Sequence, residues 1–228
     1  MSRILIDTFN EQPGPGRLGR KLEHDQRSRA FAVAEDVAAI KTVAWTRRAK
    51  IFDQGSIGSC TGNAMAGAIA TDRAEGQGRD AIDEDVAVRL YKAATHLDHF
   101  PGVYPPVDSG SSGLAVAKAA KIGGYIKSYR HAFSLHAALT ALQHGPVIVG
   151  MAWLTGCDNP DPSGLVRYDG AVRGGHEIEL LACDVDAQTV TFANSWGEGW
   201  GAAGYFSMSF DDFGRALADG GDVTVPVF

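Results

Sequence analysis

Two short stretches decide how this chain folds: DQGSIGSC at residues 53–60 and NSWGEGWG at residues 194–201, with Gly-Gly-His at residues 174–176 between them. They carry a cysteine, a histidine and an asparagine in that order. A thiol is a weak nucleophile until it ionises, so it needs a neighbouring imidazole as base and a third group to orient the ring. The order therefore predicts a thiol active site assembled from distant parts of the chain.

The composition narrows the classes of protein. The 228 residues are 45% hydrophobic and 21% charged, which is typical of a globular protein with its own core. A net charge of −6 argues against a nucleic-acid partner. No stretch is long enough to span a membrane, so no membrane partner is expected. Three cysteines without Cys-x-x-Cys spacing argue against a disulfide framework and a zinc site, and we expect no metal or other cofactor.

The N-terminal apolar run is too short for a secretory signal, so the expected compartment is the cytoplasm, where the chain is made. Association with a virus particle and release by lysis both stay open. The sequence does not predict an oligomeric state.

The chain is divided by composition into an N-terminal extended arm, residues 1–29, and one catalytic domain, residues 30–228. Residues 8–29 are rich in glycine, proline and arginine, which is typical of extended chain. Hydrophobic spacing and turn residues predict helices over 60–74, 83–96, 114–122 and 134–144, then strands over 147–153, 178–183, 189–194 and 204–209. A helix-rich first half and a strand-rich second half predict an α+β protein with the site in the cleft between them.

The ordered motifs over residues 44–208 resemble those of the papain-like (C1) cysteine peptidases. The resemblance implies a two-lobed fold, with a helical N-terminal lobe and a β-barrel-like C-terminal lobe. It also implies Cys60 as nucleophile, His176 as general acid and base, and Asn194 as the residue that orients the ring. Gln54 matches the family's oxyanion residue, which donates together with the backbone N–H of Cys60.

Four further residues are expected to bind substrate or shape the site: Gly58, Ser59, Gly175 and Trp196. In the family, the tryptophan of the Asn-Ser-Trp motif shields the Asn–His hydrogen bond from water. Cys60 also opens a predicted helix, where the positive end of the helix dipole favours a thiolate. The sequence therefore predicts a thiol that ionises well below its ordinary pKa.

The chain departs from the family pattern in several places. Ile57 and Thr61 stand where the family often has a second cysteine and an aromatic residue, so no disulfide is expected. We expect no long inhibitory prosegment of the kind the family carries, because only about 45 residues precede the region of resemblance, and this would be typical of a compact bacterial or phage-type member. Glu177 and Glu179 follow the histidine on one face of a predicted strand. Solvation, pairing with Arg173 or Arg167, and recognition of a basic substrate group all stay open for them.

The predicted function is a thiol endopeptidase acting on protein or peptide substrates. One alternative is a cell-wall amidase or endopeptidase with a related fold, which differs in its substrate. The other is a catalytically silent papain-like protein kept for binding. Turnover of purified peptidoglycan distinguishes the first alternative, and labelling of Cys60 by a thiol-reactive epoxide distinguishes the second.

Overall fold

The computed structural model describes residues 4–6 and 11–228. Its α-helices are α1 Cys60–Ala70, α2 Glu84–Thr95, α3 Gly113–Ile122, α4 Leu135–Leu142 and α5 Phe210–Ala218. Its strands are β1 Ile4–Ile6, β2 Leu22–His24, β3 Val43–Ala44, β4 Ser128–Ala132, β5 Val147–Leu154, β6 Val172–Asp184, β7 Thr189–Ala193, β8 Tyr205–Ser209 and β9 Asp222–Val227. Short 3₁₀ turns cover Gln26–Phe31, Val37–Ala39 and Thr155–Cys157. All four predicted helices and all four predicted strands are present.

Helix α1 is the centre of the helical lobe, and every one of its residues is buried. Its small side chains allow close packing on both sides. A Cβ on Gly62 would lie 2.1 Å from the backbone oxygen of Ala87 in α2. A Cβ on Gly67 would lie 2.3 Å from a carboxylate oxygen of Glu179 in β6. Glycine at these positions therefore lets α1 pack tightly between α2 and the sheet, which fixes the position of its first residue, Cys60.

The second lobe is an antiparallel sheet in the order β4-β9-β5-β6-β7-β8, with β3 paired to β6. Its core contains large aromatic side chains, among them Trp153, Phe192, Phe206 and Phe213. Within the described residues the order does not return to its start, so the sheet is open where the family resemblance implied a barrel-like lobe. The α+β architecture with a helical and a β lobe is confirmed.

Six of these helices and strands were not predicted from the sequence: β1, β2 and β3, which are only two or three residues long, and also β4, α5 and β9. β4 alternates poorly, and β9 contains Pro226, which weakens a strand pattern. Helix α5 does carry a start signal, because the Ser209 side chain accepts from the backbone N–H of Asp212 and two acidic residues occupy its first turn. β9 matters for the site, since it pairs with β5 and places Asp222 opposite Gly150.

Part of the N-terminal segment packs against the rest of the protein, and Gln26–Phe31 forms a 3₁₀ turn where extended chain was expected up to residue 29. β2 pairs with β1, and Leu18 joins the core of the β lobe with 1% of its surface exposed. The division into an arm and a domain at residues 29 and 30 stays a prediction. Across residues 4–6 and 11–228, no helix has the length and apolar character needed to cross a membrane.

Candidate active site

The two motif stretches are brought together by backbone pairing. The N–H of Gln54 donates to the carbonyl oxygen of Ser195 at 2.9 Å, and the N–H of Gly197 donates to Phe52 at 3.0 Å. An antiparallel bridge joins Asp53 to Trp196 between these bonds. The loop before Cys60 is therefore fixed directly to the loop after Asn194, although the two are far apart in the sequence.

Cys60 is the first residue of α1 and is completely buried. Its sulfur receives a hydrogen bond from the backbone N–H of Glu177, the residue that follows His176 in β6. Helix α1 packs directly on β6. The structure thus places the predicted nucleophile beside the strand that carries the predicted base.

His176 is held in one orientation by a hydrogen bond and two aromatic rings. Its Nε2 lies 2.7 Å from Oδ1 of Asn194, which also accepts the backbone N–H of Ser195 at 2.8 Å. The indole of Trp196 stacks on the imidazole with centroids 5.0 Å apart, and Trp153 meets its edge at 4.9 Å. Because Oδ1 accepts, Nε2 carries the proton and Nδ1 is left as the basic nitrogen.

Nδ1 of His176 is buried and has no hydrogen-bond partner within the described part of the chain. A buried imidazole nitrogen without a partner is costly in an ordinary core, since desolvation is not compensated. In a catalytic site, a general base needs a ring nitrogen without a hydrogen-bond donor, so that its lone pair can accept a proton. The orphaned Nδ1 therefore distinguishes His176 from a histidine that is only packed.

The charge state of the pair differs from the sequence expectation. Burial raises the pKa of Cys60 to about 12, and the nearby Glu177 carboxylate acts in the same direction. Burial lowers the pKa of His176 to about 4, although the hydrogen bond that the ring donates to Asn194 acts in the opposite direction. Both groups are neutral at pH 7 in this form of the protein, so the expected low thiol pKa is wrong for it. The physical cause is exclusion of water, which outweighs the helix dipole.

Water is excluded because the N-terminal segment crosses the groove between the two lobes. The backbone N–H groups of Gly19 and Arg20 donate to the oxygen of Gly175 at 3.1 and 2.9 Å. A Cβ on Gly19 would lie 2.1 Å from the backbone oxygen of Gly58. The segment thus passes between Gly58, two residues before Cys60, and Gly175, the residue before His176.

The opposite edge of the same segment pairs with Ser111. The backbone N–H of Ser111 donates to the oxygen of Gly19 at 2.9 Å, and the backbone oxygen of Ser111 accepts from the N–H of Lys21 at 2.7 Å. The indole N–H of Trp196 donates to the oxygen of Arg17 at 3.0 Å. We call residues 17–21 the groove segment. Its backbone is bonded on both sides, as an extended peptide would be in a substrate cleft.

Gln54 has its side-chain amide fixed at both ends. Its Oε1 accepts from the hydroxyl of Ser195 at 2.6 Å, and its Nε2 donates to the oxygen of Ile57 at 2.8 Å. These two bonds determine which end of the amide carries the nitrogen and leave one N–H of Nε2 for another acceptor. The orientation is compatible with an oxyanion donor.

The remaining predicted site residues have identifiable structural contacts. Gly58 donates its N–H to Asp108 at 2.9 Å, and buried Ser59 accepts from the side chain of Asn63 at 3.0 Å. A Cβ on Gly175 would lie 2.3 Å from the oxygen of Arg20, so this glycine permits the close approach of the groove segment. Each contact fixes the backbone near the nucleophile or the base.

Asp108 is a residue of the site that sequence reasoning missed. It accepts from the backbone N–H of Gly58 and, at 2.6 Å, from the hydroxyl of Tyr91, whose pKa it helps to raise together with burial. It also lies 3.3 Å from the guanidinium of Arg17. Asp108 stands in an irregular loop without a motif, so only the fold reveals that it anchors the loop before Cys60.

The two glutamates after His176 lie on one face of β6, as predicted, and both are buried. Glu179 forms an ion pair with Arg47 and accepts from the hydroxyl of Thr71 at 2.5 Å. Burial raises its pKa. Its partner is therefore Arg47, not the Arg173 or Arg167 considered from the sequence. Glu177 faces the groove segment.

The other two cysteines are also buried and free. The thiol of Cys157 lies 3.5 Å from the oxygen of Arg167, and that of Cys183 lies 3.4 Å from the oxygen of Lys41. Both thiols thus donate to backbone oxygens, and neither is hydrogen-bonded to His176. In the described residues, no group of three His, Cys, Asp or Glu side chains is placed to hold a metal ion.

Comparison with known proteins places this geometry in context. No protein-family model matches the chain. An uncharacterized peptidase C1-like protein of Acanthamoeba polyphaga mimivirus is 24% identical over 198 residues, an alignment covering 70% of this chain and 64% of that relative. The chain therefore matches somewhat less than two thirds of the relative's length.

Solved structures agree on the architecture. Xylellain, a cysteine protease from Xylella fastidiosa, superimposes with a TM-score of 0.76 at 18% identity, covering 96% of this chain and 99% of xylellain. Digestive procathepsin L 3 of Tenebrio molitor gives a TM-score of 0.61 at 14% identity, covering 94% of this chain and 76% of the other. The structural neighbours are papain-like cysteine proteases, and the papain-like fold of this chain is confirmed.

Proposed function

We propose that this protein is a cysteine endopeptidase that hydrolyses peptide bonds through Cys60, His176 and Asn194. The observation that carries the proposal is the buried imidazole of His176, with Nε2 bonded to Asn194 and Nδ1 left without a partner, on the strand beside Cys60. The papain-like fold and the peptidase-like relative support a cysteine peptidase. The substrates are proteins or peptides, and no cofactor takes part.

The chemistry follows from the positions of the groups. Nδ1 of His176 takes the proton of the Cys60 thiol, and the thiolate attacks the carbonyl carbon of the scissile peptide bond. The resulting oxyanion accepts from Nε2 of Gln54 and from the backbone N–H of Cys60, which is free because it opens a helix. The imidazolium then protonates the leaving amine.

The second half of the reaction uses the same base. The thioester formed between Cys60 and the acyl part of the substrate is attacked by water, from which His176 takes a proton. Collapse of the second oxyanion releases a carboxylate and returns the thiol. Asn194 keeps the imidazole in the tautomer that both steps require, and the ring of Trp196 covers their hydrogen bond.

Substitution of Gln54 tests the oxyanion assignment. Gln54→Ala is expected to lower kcat by about a hundred-fold, typical of the loss of one oxyanion donor. Labelling of Cys60 by a small alkylating agent should change little, because that reaction develops no oxyanion. The exposed Gln77→Ala serves as a matched control and should keep full kcat. An unchanged kcat in Gln54→Ala would reduce Gln54 to a residue that only supports the loop.

The proposal is tested with the purified full-length chain on a pool of unstructured peptides and, separately, on purified peptidoglycan. Cleavage at internal peptide bonds with loss of activity after thiol alkylation supports an endopeptidase. Release of fragments from peptidoglycan alone would favour a cell-wall hydrolase. Absence of turnover on both substrates, together with an unreactive Cys60, would favour a protein kept for binding.

A further inference from the structure

A buried arginine of the groove segment occupies a pocket next to the active site. The side chain of Arg20 is only 2% exposed, and its guanidinium pairs with Asp222 and donates to the oxygen of Gly220 at 2.9 Å. Both partners belong to the end of the chain, at and just before β9. The arginine therefore passes from the groove into the β lobe and reaches groups about 200 positions away in the sequence.

The pocket exists because two positions in its wall are glycines. A Cβ on Gly150 would lie within 2.7 Å of Nε of Arg20, Oδ1 of Asp222 and Oε2 of Glu177. A Cβ on Gly113 would lie 2.6 Å from Oε1 of Glu177 and 3.1 Å from Oδ2 of Asp222. Two carboxylates and one guanidinium thus converge on the same small volume.

The sheet register explains this convergence. Gly150 in the central strand β5 is the partner of Glu177 on one side and of Asp222 on the other. Directly opposed residues on neighbouring antiparallel strands project to the same face. The side chains of Glu177 and Asp222 therefore lie on the same face of the sheet, one on each side of Gly150.

The pocket holds two acidic side chains, Glu177 and Asp222, and a single arginine. Glu177 is fully buried, and neither of its carboxylate oxygens has a hydrogen-bond partner within the described part of the chain. Burial and the carboxylate of Asp222 raise the pKa of Glu177, whereas Arg20 lowers it. Buried carboxylates are stabilised by a cation with several donors, and a guanidinium supplies five N–H groups.

The pocket also lies next to the predicted reacting atoms. Glu177 follows the base, and its backbone N–H contacts the nucleophilic sulfur of Cys60. An extended peptide that bonds to the oxygen of Gly175 as Arg20 does would direct one side chain toward Glu177 and Asp222.

We infer that Glu177 and Asp222 form a specificity pocket that selects an arginine side chain of the substrate, with Arg20 as its internal occupant until substrate displaces the groove segment. The inference rests on the proposed function and adds the substrate class: peptides with arginine at one position near the scissile bond. Arginine is favoured over lysine because a planar guanidinium donates to Asp222 and to the oxygen of Gly220 together, as that of Arg20 does.

The first test uses the full chain with Arg20→Ala, which vacates the pocket. Peptides carry arginine or its uncharged isostere citrulline at one position at a time. At one position, arginine should raise kcat/KM by at least about tenfold, equivalent to one well-placed charged hydrogen bond. Adding Asp222→Asn should remove most of this preference, whereas Asp211→Asn, an exposed acid on α5, should keep it. No arginine preference at any position, or a preference unchanged by Asp222→Asn, would overturn the inference.

The second test does not depend on catalysis. Ethylguanidinium should raise the Tm of Arg20→Ala saturably, because it refills the pocket, while wild type and Arg20→Ala/Asp222→Asn should respond only as they do to sodium chloride. Arg20→Gln, which keeps part of the side-chain stem, replaces Arg20→Ala if the latter does not fold. Saturable stabilisation without hydrolysis of any peptide would contradict the proposed function and retain the pocket. Hydrolysis without arginine preference or ethylguanidinium binding would contradict only the pocket.

Discussion

Cys60→Ala is expected to abolish peptide hydrolysis, with a loss in kcat of at least about 10⁴-fold, as found when a catalytic nucleophile is removed. Cys60 is buried at the start of α1, and its change to alanine replaces only the SH group by a hydrogen atom, so little volume is lost. The folded structure should therefore survive. The initial rate of cleavage of an internally quenched peptide measures the effect, with circular dichroism and thermal unfolding as checks of the fold.

The two other cysteines provide matched controls for this result. Cys157→Ser and Cys183→Ser alter thiols that are equally free but bond to backbone oxygens away from His176. Both variants should keep kcat near the wild-type value. Full activity in Cys60→Ala, or an equal loss in Cys183→Ser, would end the assignment of Cys60 as nucleophile.

Arg20→Glu is expected to accelerate alkylation of Cys60 by iodoacetamide at pH 7 by at least about a hundred-fold. The substitution places a third carboxylate beside Glu177 and Asp222, so the groove segment should leave the groove. In the wild type, the thiol pKa of about 12 leaves about one thiol in 10⁵ ionised at pH 7. Because only the thiolate reacts, the rate of alkylation of wild-type Cys60 should rise with pH throughout the range up to about 11.

Departure of the groove segment admits water to Cys60 and His176 and removes the main cause of both pKa shifts. The helix dipole and the imidazole then favour a thiolate–imidazolium pair, so alkylation of Arg20→Glu should stay fast at mildly acid pH. His176→Ala in this background should return the profile to that of an ordinary thiol. Asn194→Ala should act more mildly, because it removes only the group that orients the ring.

Arg29→Glu is the matched charge reversal, at an exposed arginine outside the groove segment. Its alkylation rate should equal that of the wild type. If Arg20→Glu is folded and reacts as slowly as the wild type, the groove segment is not what keeps the thiol neutral. Far-ultraviolet circular dichroism and the unfolding transition separate this outcome from general loss of structure.

Much of the fold and site could be predicted because the informative residues are local in sequence. Hydrophobic spacing and turn residues, for example, predicted helices over 114–122 and 134–144, and the structure has α3 and α4 there. The stretch at residues 53–60 and the Asn-Ser-Trp stretch each carry their geometry in a few consecutive residues. Once a papain-like fold is inferred, it follows that these two stretches lie next to each other.

The rest depends on contacts between distant residues, which leave no periodic or motif signal. Asp222 reaches the site only because β9 pairs with β5, and Pro226 weakens the strand pattern of β9. Arg20 lies in a segment whose composition indicates extended chain, and nothing in that composition shows what the segment contacts. The thiol pKa was wrongly predicted for the same reason, since burial by the groove segment outweighs the local helix dipole.

We assign Cys60 as the catalytic thiol and His176 as the base that activates it, and one labelling experiment decides this assignment. It is tested most directly by treating Arg20→Glu with a thiol-reactive epoxide while following peptide hydrolysis and mapping the modified residue by mass spectrometry. We expect one label per chain, located on Cys60, with activity lost in proportion to labelling and no labelling in Arg20→Glu/Cys60→Ala. Hydrolysis that persists after complete modification of Cys60, or labelling confined to Cys157 or Cys183, would contradict it.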